Sequence, residues 1–378
     1  MKTRKILFLL LCIAAAIFIF TLIAFADEGG GEITMPDEYN DFLGSLPQGI
    51  LDSLPDGMLS GNAEDVSESV RRMSSPTELL RFLLDGIFAG VGRVAPTLVV
   101  AIGILLLSRV IDLVAPSRDI LSSLSTVSRL CVMSVVLNLV FSSVSAISEY
   151  FNSLCGIARA YIPLSAVLYA AGGNVSTAAA SSASFGMCLT VCQFIFTYTV
   201  IPVFVFCASM AVVSSFDGAS IVNAITGGIK KYYTVILSIV MSALGVGIGA
   251  QTIISAKADG ASMRGVKLAI GSFVPISGGT LSSSLGTIAS GVELIRASVG
   301  MGGVIIILML LIPLISHLVV MKLFFFVLDL FSIASGERVS AITEMGELYS
   351  YLLGIACISS GIFILMFATL GFTAAAIG

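Results

Sequence analysis

The chain has no tryptophan, a single histidine (His317) and few charges. Only 11% of its 378 residues are Asp, Glu, Lys or Arg, while 57% are hydrophobic. A soluble globular domain carries about 25% charged residues. With so few polar side chains and a mean hydropathy of +1.06, the fold cannot cover its surface in water, and lipid is the solvent that fits. One histidine excludes a zinc site built on two. No carboxylate pair lies at helical spacing within an apolar stretch, and no Gly-x-Ser-x-Gly elbow occurs. With no acid, base or nucleophile assembled, the expectation is a protein that is not an enzyme and holds no cofactor. No basic tract points to nucleic acid.

Base is missing most sharply near the N-terminus. Residues 27–70 hold 11 of the 23 acids and no Lys or Arg. Cysteine is missing there too. Cys131, Cys155, Cys188, Cys192, Cys207 and Cys357 lie in or beside apolar stretches and read as small buried hydrophobes. Cys188 and Cys192, four apart, would make half a metal site, but no His or carboxylate is near them in sequence.

What is present divides into three parts. Residues 1–26 have a positive start (Lys2, Arg4, Lys5), an apolar run from Ile6 to Phe20, and the small-x-small sequence Ala24-Phe25-Ala26. This is the pattern of a secretory signal peptide with cleavage at Ala24 and Ala26; an uncleaved anchor is the alternative. Either places residue 27 outside. Residues 27–74 form an acidic extracytoplasmic leader, in which Ser45-Leu46-Pro47-Gln48-Gly49 recurs as Ser53-Leu54-Pro55-Asp56-Gly57. It reads as a docking segment for a partner or as a poorly ordered leader.

Residues 75–378 read as an all-α polytopic membrane domain of about six to eight segments. Ser75-Pro76-Thr77-Glu78 is a helix start. Apolar stretches long enough to span follow near 88–108, 130–150, 187–212, 232–254, 303–327 and 350–372. Two more, 157–172 and 268–292, are short or broken, and read as short spans or re-entrant hairpins. An internal repeat over 119–218 and 222–336 is suggested by Tyr161-Ile162-Pro163-Leu164-Ser165 and Phe273-Val274-Pro275-Ile276-Ser277. Each is followed by a small-residue run and then a helix with a central Ile-Pro, at Pro202 and Pro313. Chance likeness in apolar sequence is the alternative. If the broken segments cross, the copies are inverted; if they are re-entrant, the copies are parallel.

Glycines such as Gly86, Gly90, Gly245, Gly247 and Gly249 fit close helix packing, with pore lining as the sharper alternative. Ionisable groups within a span are costly and often functional. His317 is therefore read either as a proton or substrate group or as a hydrogen-bonded structural residue. Arg93, Asn138, Gln193 and Gln251 are further polar residues in apolar surroundings. The two Pro-anchored segments, Pro163 with Pro202 and Pro275 with Pro313, are expected to meet inside the protein, with Gly278 and Gly279 at closest approach, as a conduit, gate or seat for partner subunits.

The run from Lys267 to Gly291, with Gly271-Ser272-Phe273-Val274-Pro275-Ile276-Ser277-Gly278-Gly279 at its heart, resembles the stage III sporulation protein AE family of endospore-forming bacteria. The leader's Leu-Pro turns and the ending at Ala26 fit as well. The resemblance implies a polytopic, permease-like subunit of a multi-protein, secretion-like channel complex in the mother-cell membrane around the forespore. It implies partners in other mother-cell subunits, a separate ATPase chain and, indirectly, a forespore membrane protein. A stand-alone secondary transporter is the alternative that the repeat and His317 support.

Overall fold

In the computed structural model, the described residues are 35–52, 54–59, 62–73, 75–114, 118–214, 220–273, 278–334 and 339–375; over 111–114, 118–126, 255–273 and 278–294 only the backbone path is described. Among them the chain is helical, with no strand. Four short helices come first: α1 (Asp37–Gly44), α2 (Gln48–Leu51), α3 (Asp56–Leu59) and α4 (Ala63–Met73). Long helices follow: α5 (Pro76–Val114), α6 (Arg118–Ala171), α7 (Val175–Ile195), α8 (Ile201–Val213), α9 (Ser220–Phe273), α10 (Gly278–Ala334) and α11 (Ser340–Ala375). A single π-helical turn, Phe196–Val200, joins α7 to α8.

Among the described residues, six stretches are long and apolar enough to cross a membrane: Thr77–Leu107, Leu130–Ala171, Val175–Val213, Ala224–Gln251, Ser298–Ala334 and Ser340–Leu370. Each contains or overlaps one of the six long stretches read from sequence. The spans run alternately up and down. Tyr161 lies beside Phe185 and Phe151 beside Phe196, so α6 and α7 are antiparallel. Gly86 faces Ser316 and Gly90 faces Val320, so α5 and α10 are parallel. The spans of α10 and α11 are the most deeply buried. The other helices surround this pair: α5 and α6 pack on α10, α8 and α9 on α11, and α7 on α6 and α9.

The broken segment expected at 157–172 is instead the second half of α6, one unbroken helix through Pro163. The proline ring is on an exposed face while Tyr161, Leu164 and Leu168 beside it are buried. A proline removes one backbone hydrogen bond and clashes with the preceding turn. The buried neighbours on the opposite face hold the helix together across that loss. Pro202 is accommodated differently. The π turn ends at Val200, two residues before it, where a wider turn leaves the ring room. Residues 118–213 and 220–334 both fold into two long antiparallel arms with the same order of directions. That order is what parallel copies require, and it does not by itself establish a repeat.

Residues 37–73 pack on the chain's own bundle, at the end where α6 and α11 finish and α10 begins its span. Tyr39, Phe42, Leu46, Ile50, Leu54, Met58, Val66 and Val70 are all buried. The two Leu-Pro turns do the same job twice. Each buries its leucine, Leu46 or Leu54, and its proline precedes a four-residue helix that buries Ile50 or Met58. Phe42 meets Phe367 with ring centres 6.0 Å apart, and Tyr39 donates to the Met58 carbonyl at 2.9 Å. Asp37, Asp41, Asp52, Asp56, Asp65 and Glu68 stay exposed. The leader is thus an acid-coated cap, ordered over these residues and docked without a second chain.

Candidate functional site

The centre of the bundle holds a polar junction between three spans. Ser143 of α6, fully buried, hydrogen-bonds the Leu139 carbonyl at 2.9 Å, His317 Nε2 of α10 at 3.0 Å and the Tyr349 hydroxyl of α11 at 2.8 Å. A serine hydroxyl has one proton and two lone pairs. With the proton given to Leu139, the other two partners are the donors, which makes His317 the Nε2–H tautomer. Phe325 stacks on Tyr349 with ring centres 5.3 Å apart, and Phe204 meets its edge at 6.1 Å. The sole histidine, half-buried, is therefore hydrogen-bonded at the edge of an aromatic cluster.

Nearer the capped end, Tyr150 bonds Ser360, and Tyr161 donates to the Met366 carbonyl at 3.4 Å. There Arg296, only 1% exposed, closes the end of α6. The last carbonyls of a helix lack partners within it and carry its negative pole. Arg296 donates to two of them, Leu168 at 3.1 Å and Tyr169 at 3.3 Å. Its guanidinium carbon also sits 5.1 Å from the centre of the Tyr169 ring. With the Asn174 amide oxygen turned inward, that oxygen accepts from both guanidinium nitrogens, at 3.1 and 2.7 Å. Gly173 ends the helix at φ 77°, the left-handed conformation that glycine adopts freely. A cleft of about 310 Å³ opens beside this joint, between Met35, Pro36 and Asp37 of the cap and Val167, Leu168, Ala171 and Ile295.

The far end of the bundle carries an ion pair. Lys230 of α9 reaches Glu344 of α11 at 2.7 Å and Glu347 at 3.4 Å. The lysine and Glu344 side chains are 11% and 20% exposed. Between the two ends, Gln251 donates to the Ala180 carbonyl at 3.0 Å and accepts from Ser184. Thr199, in the π turn, bonds the Tyr233 hydroxyl at 2.6 Å.

The residues singled out from sequence fare unequally. Pro163, Pro202 and Pro313 are all exposed, so none of them is packed in the chain's own core. A proline leaves a carbonyl unpaired and bulges its helix, and these exposed faces are where neighbouring helices do not press. Gly278 and Gly279 open α10, with only their backbone described. Pro275 lies outside the described residues, as do Ala24 and Ala26. Gly86 and Gly90 do pack closely. A methyl on either would stand 2.7 Å from Ser316 Oγ or 2.9 Å from Val320 Cγ2 of α10. A methyl on Gly245 would stand 3.5 Å from Leu365 Cδ1, whereas one on Gly247 or Gly249 would meet open space. Gln193 accepts from Arg159 at 3.2 Å, and Arg93 and Asn138 are exposed. The Cys188 and Cys192 sulfurs are 3.9 Å apart and buried, and no group of three metal-ligating side chains occurs among the described residues. Sequence reading missed Ser143, Tyr349, Asn174 and the roles of Arg296, Lys230 and Glu344.

Six apolar spans with polar groups paired between them define a multi-pass helical membrane protein. The family model for stage III sporulation protein AE matches residues 60–374. The chain belongs to that family, and its role is in stage III of sporulation. No curated protein and no solved structure matches it.

Proposed function

We propose that this protein is the polytopic subunit of a secretion-like channel complex in the mother-cell membrane around the forespore, needed for forespore development. It acts there with other mother-cell subunits, with an ATPase on a separate chain and, across the intermembrane space, with a forespore membrane protein. It catalyses no reaction and carries no cofactor of its own. The family supports the stage. The observation that carries the reading is the docked cap. An ordered, acid-faced platform on one end of a six-span body suits contacts with other proteins in a narrow aqueous space, whereas a solitary transporter has no evident use for one.

A stand-alone transporter is the second reading, favoured by His317 near the middle of its span. The bond from His317 to Ser143, beside the rings packed on Tyr349, supports a structural role instead. Capture of the full chain from sporulating cells, followed by reconstitution in liposomes, separates the two. The proposal expects several membrane partners and an ATPase to co-purify in fixed ratio, and no solute flux from the lone chain. A chain that purifies alone and moves solute by itself contradicts it.

A further inference from the structure

Helix α5 carries charges where lipid would be. Its register against α10 is fixed by three contacts: Gly86 over Ser316, Gly90 over Val320, and the Ser316 hydroxyl on the Leu83 carbonyl at 3.4 Å. Counting back along both helices in that register sets Glu78, Arg81 and Asp85 abreast of the Ile305–Ile315 stretch, which contains no charge. All three are exposed, and none makes an ion pair among the described residues. Charged side chains at that depth cost several kcal/mol each against hydrocarbon, so such a face is covered by protein or water.

The same stripe continues, at spacings of three and four, through Ala89 and Gly92, both exposed, and Gly92 has nothing within 4 Å. Small residues on a membrane helix let a second helix approach closely. Gly86 and Gly90 do this for α10 on another face of α5, so Ala89 and Gly92 form a second small-residue face that the described residues leave open.

We propose that this stripe is an interface between copies of the chain, α5 beside α5. The charges choose the occupant. They alternate in sign, Glu78, Arg81, Asp85, and are therefore self-complementary. In two parallel copies at equal height, Arg81 of one lies about 4.5 Å along the axis from Glu78 of the other and about 6 Å from Asp85. Both offsets are within side-chain reach. Below them Ala89 and Gly92 let the backbones close. The inference needs only that the chain spans a membrane, so it stands apart from the channel reading.

The test is self-association of the full chain in lipid vesicles, read as subunit counts by single-molecule photobleaching over a range of protein-to-lipid ratios. Wild type is expected to associate. Arg81→Glu, which aligns three carboxylates on each copy, is expected to weaken association at least about tenfold. The inverted stripe, Glu78→Arg with Arg81→Glu and Asp85→Arg, is expected to restore it, which also shows that the substitutions leave the fold intact. Ala89→Cys is expected to cross-link between copies, and Leu83→Cys, on the α10 side, is not. Monomers at every ratio overturn the proposal. So do association indifferent to Arg81→Glu, an inverted stripe that fails to restore it, and cross-linking of Ala89→Cys only to a different protein in sporulating membranes.

Discussion

Ser143 shows how one small side chain can hold three spans in register. Its loss strands two donors at once, the Nε2–H of His317 and the hydroxyl of Tyr349. Loss of the Tyr349 hydroxyl leaves Ser143 with two partners. Unfolding in mixed micelles is expected to rank them accordingly. Tyr349→Phe should cost roughly 0.6 kcal/mol, the average for a hydrogen bond between membrane helices. Ser143→Ala should cost about 2 to 3 kcal/mol, because a buried unpaired donor loses its full desolvation energy. Equal costs would mean that the three groups do not form one junction. Glycine 303 gives a second contrast. A side chain there would run into the ring of Phe367, itself wedged between Phe42 and Tyr161, whereas Gly354 faces open space. Gly303→Ala is expected to destabilise by about 1–3 kcal/mol through overpacking, and Gly354→Ala to be neutral within about 0.5 kcal/mol. The histidine was legible in sequence because it is the only one in the chain. Arg296 was not, because its partners are the carbonyls of a helix end 127 and 128 residues earlier.

At the scale of elements, the cap is the part least visible in sequence and most open to test. Its acidic, Pro- and Gly-rich composition argues for a solvated leader, and only the spacing of Leu46, Ile50, Leu54 and Met58 hints at a buried side. What it packs against, Gly302 and Phe367, lies in spans 232 to 325 residues away in sequence. Phe42→Ala is expected to remove about 3–5 kcal/mol of docking energy and to speed proteolysis of residues 37–73 by at least roughly a hundredfold. Burial raises the Tyr39 hydroxyl above its ordinary value. The docked state therefore holds its proton more tightly than the free leader does. Docking should be at full strength below about pH 10 and fall as pH rises beyond it, when the free tyrosine ionises and the docked one cannot follow. Proteolysis rates that stay flat through that range would argue that Tyr39 is not buried by the cap. Span existence was legible because an apolar run of about 20 residues is a property of composition alone. Continuity was not. Whether Pro163 breaks α6 depends on which face the ring takes, and that is decided by the neighbouring helices.

For the whole molecule, six alternating spans put the cap and the Lys230–Glu344 pair at opposite ends, and therefore on opposite sides of the membrane. A cysteine at Asp41 and one at Lys231 should label with an impermeant thiol reagent from opposite faces of sealed vesicles. With the cap outside, as the N-terminal segment is expected to place it, Lys230 and Lys231 are inside, while Arg296 at the capped end is outside, so the bias of basic residues toward the cytoplasm does not choose the orientation. Labelling of both positions from one side would require an even number of crossings between them, in place of the three seen here. The central claim concerns the cell, and it is most directly tested in a strain lacking this gene, with a reporter for late forespore transcription. The account predicts a block after engulfment, with small or collapsed forespores, relieved by the wild-type chain. Normal spores with full late transcription would contradict it.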